Sequence, residues 1–163
     1  MAGRKISWLA LLIALSVVGS MLKIPAVVGS IALDAFPALI AASLFGGGLG
    51  AVVAGIGHLV SALVGGLPLG PFHILIALEM SLLVWIYGRL YQQGKKVLAG
   101  SLFVLGNTFA APLPFIFFIS KAFYMGIVPS LLVGSLLNIG LALLLAPRLM
   151  TVSRQFQQGE ARK

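Results

Sequence analysis

The chain has 163 residues, of which 60% are hydrophobic and 9% are charged, and its formal net charge is +8. This composition excludes a soluble globular domain and is typical of an integral membrane protein. A spanning helix needs about 20 apolar residues, so the length allows about six helices and no further soluble domain. We therefore expect a single membrane domain over residues 1–163. The absence of cysteine excludes disulfides and thiolate metal sites.

Apolar runs along the chain predict an all-α bundle of six transmembrane helices. In chain order the predicted helices cover 6–22, 35–46, 48–65, 72–91, 97–118 and 127–147. The second is short, and the glycines at 46–48 predict a tight helical hairpin after it, because glycine adopts conformations closed to other residues. The first run also resembles a secretory signal, but the further apolar runs favour an uncleaved helix.

The basic residues predict membrane topology and not a nucleic-acid partner, because they lie at the ends of apolar runs and form no block. With six helices, nine of the eleven Lys and Arg residues lie on the side of the two termini. Only Lys23 and Lys121 lie on the other side. The positive-inside rule then places both termini in the cytoplasm of a bacterial cell, and the loops around 23–34, 66–71 and 119–126 outside.

Polar side chains interrupt the apolar helices at a few positions. From the predicted ends, His58 and Glu79 lie ~10 Å below the outer surface, and Asn107 and Asn138 lie ~16 Å below it. Ionisable groups in a bilayer usually face a bundle interior or a cavity, because exposure to lipid costs at least ~2.5 kcal/mol. We therefore predict a small-molecule site in the outer half, with Lys23 and Lys121 near its mouth. Its predicted residues are Asp34, Phe36, His58, His73, Glu79, Asn107 and Asn138.

Most of the polar residues also have a structural interpretation. Asp34 precedes Ala35 and is suited to cap the N-terminus of the second helix. His58 is a candidate neutral partner for Glu79. The two asparagines are suited to hydrogen bonds between helices, a common use of this residue in membrane bundles. Near the outer helix ends, aromatic residues either stack on a ring-containing ligand or form an interfacial belt. The sequence alone leaves these alternatives open.

Small residues at four-residue spacing mark two helices as packing surfaces, because such spacing permits close helix approach. They are Gly47, Ala51 and Gly55 on the third helix and Ala10 and Ala14 on the first. We expect an internal contact for the third helix. For the first helix, the two alanines are candidates for a flat patch that binds another membrane protein.

Two prolines near the end of the fifth predicted helix are expected to distort it. Pro112 and Pro114 lack the N–H that an intact helix requires, so they free backbone carbonyls. Such distortion is tolerated in a membrane only where protein or a cavity satisfies the freed groups. We therefore expect an irregular backbone close to the predicted site.

No catalytic motif is present in the sequence. It contains no HExxH, no cysteine nucleophile and no GxSxG, and its two histidines are too far apart for a local metal motif. We therefore expect no enzyme activity, no catalytic residue, no resident metal and no cofactor. The remaining classes are a substrate-binding transport protein, a self-sufficient small transporter, and a non-transporting scaffold.

The length, the six predicted helices and the polar outer pocket resemble the substrate-binding S component of energy-coupling factor (ECF) vitamin transporters. The stretch Ala10-Leu-Leu-Ile-Ala14 is similar to that family's motif on helix 1. Three runs resemble a subgroup that salvages cobalamin precursors, in particular α-ribazole. They are Ala32-Leu-Asp-Ala-Phe-Pro37, Gly55-Ile-Gly-His-Leu59 and Pro68-Leu-Gly-Pro-Phe-His73.

The resemblance implies a division of labour between subunits. This chain would capture a vitamin or vitamin precursor outside the cell, with α-ribazole as the best match and another vitamin as the alternative. Ala10 and Ala14 would contact the shared transmembrane coupling subunit. Two ATPase subunits would supply the energy.

Overall fold

The computed structural model describes residues 2–22, 24–25 and 30–160, with side chains described over 5–22 and 32–151. In chain order its elements are α1 Ala2–Met21, β1 Ile24–Pro25, β2 Ser30–Ile31, α2 Phe36–Phe45, α3 Gly47–Val64, α4 Phe72–Gln92, α5 Lys96–Leu105, a π-helical turn at Gly106–Ala110, α6 Phe115–Phe118 and α7 Lys121–Glu160. The two strands form a short antiparallel pair of two residues each. Apart from this pair, the regular structure of the described chain is helical.

Four helical segments of the described chain are long and apolar enough to cross a membrane: Gly47–Val64, Phe72–Gln92, Lys96–Phe118 and Lys121–Thr151. Lys5–Met21 and Phe36–Phe45 are shorter apolar helices. The count of six spans and the cytoplasmic placement of the termini stay predictions. Lys23, which was predicted to lie near the mouth of the site, falls outside the described residues.

The short helix α2 lies at the centre of the bundle. It packs against α1, α3, α4 and α7, and every residue from Phe36 to Ser43 is buried. Its ten residues make it ~15 Å long, about half the thickness of a bilayer core. Because it is buried on all sides, its sequence is apolar without a polar face, as expected for a helix enclosed by others.

The predicted internal contact of α3 is present and joins α3 to α4. A Cβ built on Gly88 of α4 would lie 2.6 Å from the Cα of Gly47 on α3. Farther along the same interface, the Ser81 hydroxyl donates to the carbonyl of Ala51 at 3.0 Å, and a Cβ on Gly55 would lie 2.6 Å from that hydroxyl oxygen. The two backbones approach this closely because the interface carries small residues.

Asn138 of α7 holds the N-terminus of α2. Its side-chain oxygen accepts hydrogen bonds from the backbone N–H groups of Ala35 and Phe36 at 3.1 and 2.7 Å. Its amide nitrogen donates to the carbonyls of Ala32 and Gly134 at 2.9 and 2.8 Å. The structural interpretation of Asn138 is therefore confirmed. Asp34 does not cap α2, because Ala35 occupies the cap position and no local side chain bonds there.

The last two predicted helices differ from the observed ones. The predicted helix 97–118 is broken, as expected from its prolines: α5 ends at Leu105 and the π-helical turn follows. The prediction of 127–147 for the last helix is too short, because α7 begins at Lys121. The Ser120 hydroxyl accepts a hydrogen bond from the N–H of Phe123 at 3.1 Å, which is N-capping geometry. Most of the predicted outer loop 119–126 is therefore helical.

We expect Gly88→Ala to destabilise the bundle, because the new methyl group would collide with the backbone of Gly47. Overpacking of this kind costs about 1–3 kcal/mol, so the apparent Tm in detergent should fall by several degrees. Gly48→Ala is the matched control, since a Cβ there has nothing within 4 Å. An equal loss of Tm in both variants would contradict the close α3–α4 contact.

Asn138→Ala should cost more stability than Asn107→Ala. The first change leaves the N–H groups of Ala35 and Phe36 without their partner, and a buried unsatisfied group costs about 1–3 kcal/mol. The second removes a bond from Asn107 to the Ser135 hydroxyl. Thermal unfolding of the two purified variants measures the difference. A smaller loss of Tm for Asn138→Ala would show that α2 does not depend on its hydrogen bonds with Asn138.

Candidate ligand-binding site

A cavity of about 270 Å³ lies between the loop before α2, α3, α4, the π-helical turn, α6 and α7. Six of the seven predicted substrate-binding residues line it: Asp34, His58, His73, Glu79, Asn107 and Asn138. The seventh, Phe36, is not among the lining residues and is buried in the core with 8% exposure. The fold thus brings together side chains from more than 100 residues of sequence.

Asp34, His58 and His73 form a continuous chain of polar contacts at one wall of the cavity. The Nδ1 of His58 lies 3.6 Å from a carboxylate oxygen of Asp34. The Nε2 of His58 lies 3.1 Å from the Nδ1 of His73. The backbone N–H of Leu69 donates to the Nε2 of His73 at 3.3 Å. The chain therefore joins the loop before α2 to α3, α4 and the loop between them.

The Leu69 contact sets the direction of the hydrogen bonds for neutral histidines. Because Nε2 of His73 accepts from Leu69, the proton of that ring lies on Nδ1 and is donated to Nε2 of His58. The proton of His58 then lies on Nδ1, which is 3.6 Å from the carboxylate of Asp34 and has no hydrogen-bond partner. His58 therefore contacts Asp34 and hydrogen-bonds His73, and the expectation that it is the partner of Glu79 is wrong.

Glu79 lies on α4, on the same cavity wall as Ile76 and Met80. Its Oε2 is buried and has no hydrogen-bond partner. A polar atom in this position is costly unless it is paired or used. Among the polar residues of the cavity, Glu79 is therefore the one with an open buried acceptor.

Asn107 lies in the π-helical turn that the prolines were expected to disturb. The N–H of Ala111 bonds to the carbonyl of Gly106 at 2.8 Å, which closes the wider turn directly before Pro112. Turns of this kind occur often at functional sites. Here the turn places Asn107 in the cavity wall, where its amide donates to the hydroxyl of Ser135 at 2.8 Å.

Sequence reasoning missed the α7 residues Ser130, Gly134 and Ser135, which also line the cavity. Single serines and glycines in an apolar helix are too common to indicate a site. The available signal was spacing: Ser130, Gly134 and Asn138 recur every four residues, so they lie on one face of α7. Read together with Asn138, this small and polar face indicates the side of the helix that borders the cavity.

The aromatic residues predicted near the outer helix ends form a cluster beside the cavity. Phe72 contacts Phe115 and Phe118, with ring centroids 5.7 and 5.4 Å apart. Phe115 also contacts Phe123, at 6.0 Å. Of the aromatic residues considered from the sequence, only Phe115 is among the lining residues. Phe115 is therefore the aromatic side chain available to a ligand ring.

The described residues contain no group of three or more His, Cys, Asp or Glu side chains arranged to hold a metal ion. The contact between Leu69 and His73 Nε2 also opposes a metal on His73 Nδ1, since a neutral metal-bound ring would carry its proton on Nε2. The arrangement is instead suited to hydrogen bonding of an organic molecule: a largely apolar cavity with a few convergent polar groups.

The sequence matches a family model described as "ECF transporter, substrate-specific component" over residues 4–155. No curated protein matches the sequence. The fold is similar to that of a solved structure described as "the S component of a bacterial ECF transporter", with a TM-score of 0.75 and 18% identity over 93% of this chain and 98% of that chain. At this identity the likeness shows a shared fold, whereas the family model covers most of the sequence.

Components of this type are membrane transport subunits and not enzymes; they bind a small-molecule substrate and work with the ECF module. The four long apolar helices of the described chain are consistent with a membrane location. Because the matching family model spans residues 4–155, the chain belongs to the family of ECF transporter substrate-specific components.

Proposed function

We propose that this chain captures a vitamin or vitamin precursor in the cavity between α3, α4 and α7, with α-ribazole as the best candidate. The observation that carries the proposal is the convergence of the three sequence runs that resemble the α-ribazole subgroup. Each run contributes one member of the contact chain: Asp34, His58 and His73. Residues that belong to one site are expected to meet in the fold even where they are far apart in sequence.

The chemistry of the cavity suits α-ribazole, which combines a benzimidazole ring with a ribose. Phe115, Ile76 and Met80 provide apolar surface for the ring. Asp34 and Glu79 provide acceptors for the ribose hydroxyls. The volume of about 270 Å³ lies near the lower end of the range for small-molecule sites, which favours a compact precursor over a complete cobalamin.

The exposed face of α1 supports an association with the transmembrane coupling subunit. Ala10 and Ala14 are exposed, whereas Leu12 and Ser16 are buried at 2% and 1% exposure. The small side chains of the two alanines therefore form a flat patch on the side of α1 that faces away from the bundle. A partner helix can approach such a surface closely. In this proposal the coupling subunit and two ATPases complete the importer in the bacterial cytoplasmic membrane.

Binding of α-ribazole to the detergent-purified protein should raise its apparent stability. A ligand at 100 times its Kd stabilises the folded state by about 2.7 kcal/mol. Thermal unfolding against a panel of vitamins and precursors measures the shift.

Glu79→Ala should weaken binding at least about tenfold, because it removes an open buried acceptor.

Leu78→Ala is the control for Glu79, since Leu78 is the preceding residue on α4 and is 64% exposed. It should leave the affinity unchanged. A shift with a different vitamin would replace α-ribazole as the substrate and keep the site. Unchanged affinity in a folded Glu79→Ala protein would remove Glu79 from the site.

Replacing Ala10 and Ala14 with leucine should impair association with the coupling subunit and leave ligand binding intact. The larger side chains would prevent close approach of a partner helix. Co-purification with the coupling and ATPase subunits measures association, and the thermal shift measures ligand binding. Ala122→Leu, the same change at an exposed alanine on α7, is the control. Undiminished co-purification would exclude this face of α1 from the interface.

A further inference from the structure

We propose that the cavity selects ligands that donate a hydrogen bond to its carboxylates and carry no negative charge, so that it binds a neutral or cationic ligand and rejects a phosphorylated or carboxylate counterpart. The inference rests on the proposed function in that the cavity is the substrate site. It concerns the chemical class of the ligand and holds whether or not the ligand is α-ribazole. Its basis is the charge of the described residues that line the cavity, together with the open acceptor on Glu79.

The contacts of the two histidines leave one ring donor without a hydrogen-bond partner. The proton on His73 Nδ1 faces His58 Nε2 at 3.1 Å. His58 Nδ1 lies 3.6 Å from a carboxylate oxygen of Asp34, which is too far for a hydrogen bond, and it is buried without a partner. The proton on this nitrogen is therefore available to a ligand acceptor, and the carboxylate of Asp34 beside it is an acceptor.

The two asparagines direct three of their four amide N–H groups to protein acceptors. The amide nitrogen of Asn138 donates to two backbone carbonyls, and its oxygen accepts from two N–H groups. The amide nitrogen of Asn107 donates to the Ser135 hydroxyl. Asn138 is thus fully engaged, whereas the bond to Ser135 uses one of the two amide N–H groups of Asn107.

Two carboxylates are the acidic groups that line the cavity. Glu79 has a buried oxygen without a partner, and the side chain of Asp34 is 18% exposed at the cavity wall. The hydroxyl of Ser135 accepts from Asn107 and carries no charge. A ligand with hydroxyl or amino donors would satisfy the carboxylates, which otherwise lie in a poorly solvated site.

Charge excludes the opposite class of ligand. The described residues that line the cavity include Asp34 and Glu79 and no Lys or Arg. Anion sites in proteins normally supply cationic side chains or helix N-termini. The N-terminus of α2 borders this cavity, but its first N–H groups are already bonded to Asn138. A phosphate or carboxylate would therefore meet no counter-charge among the described lining residues and would lie close to two acidic groups.

The test compares matched ligands that differ in charge, by isothermal titration of the detergent-purified protein at pH 8. The first pair is α-ribazole and α-ribazole 5′-phosphate, and the others are pantothenol with pantothenate, nicotinamide with nicotinate, and biotin amide with biotin. Thiamin serves as a cationic probe. We expect the ligand that binds to be neutral or cationic, and its anionic counterpart to bind at least 100-fold more weakly.

The outcomes separate this inference from the proposed substrate. Tight binding of an anionic member, equal to or better than its neutral counterpart, overturns the inference. Binding of a neutral or cationic compound other than α-ribazole overturns the proposed substrate and supports the inference. Binding of α-ribazole together with rejection of its phosphate supports both.

Glu79→Gln provides a second readout that a merely structural role would not change. Removing the negative charge should reduce the preference for the neutral ligand over its phosphorylated form by about tenfold, since one source of repulsion is lost. Leu78→Ala should leave this ratio unchanged. A ratio that stays the same in a folded Glu79→Gln protein would show that charge at Glu79 does not set the selectivity.

Discussion

The side-chain amide of Asn138 takes the place of water at the start of α2. Backbone N–H groups at a helix start have no partner within the helix, and inside a bundle enclosed by lipid there is little water to satisfy them. Asn138 supplies the acceptor for two of these groups and bonds the carbonyl of Ala32 as well. The loop that carries Asp34 is thereby fixed against α7, and the position of Asp34 in turn determines where the contact chain through His58 begins.

From this point the site is built by contacts between distant elements. Asp34 contacts α3 through His58, His58 contacts α4 through His73, and His73 contacts the connecting loop at Leu69. The π-helical turn brings Asn107 to Ser135 of α7. Each of these contacts thus joins two elements of the bundle and holds their polar side chains at the cavity. Glu79 stands apart from this network, which leaves it open for a ligand.

The small residues of the α3–α4 interface fix the relative position of the two helices that carry part of the site. The close approach of Gly47 and Gly88 fixes α3 against α4, and these two helices carry His58, His73 and Glu79. A rigid pair of helices holds such groups more exactly than loops would. The exposed alanines of α1 lie on the outside of the bundle, so capture of substrate and contact with a partner can use separate surfaces.

The sequence by itself determined the membrane class, the helical character and six of the polar residues that line the cavity. These follow from local chemistry, because long apolar runs belong in lipid and His58 or Glu79 within such runs needs a use or a partner. Only the tertiary structure decided how those residues pair. His58 lies beside Asp34 and not Glu79, and Asn138 caps α2 in place of Asp34. Phe36 lies in the core, and Ser120 starts α7 six residues earlier than the apolar pattern indicates. The pairing depends on the distances between helices that are far apart in sequence. These distances cannot be read from the spacing of residues along the chain.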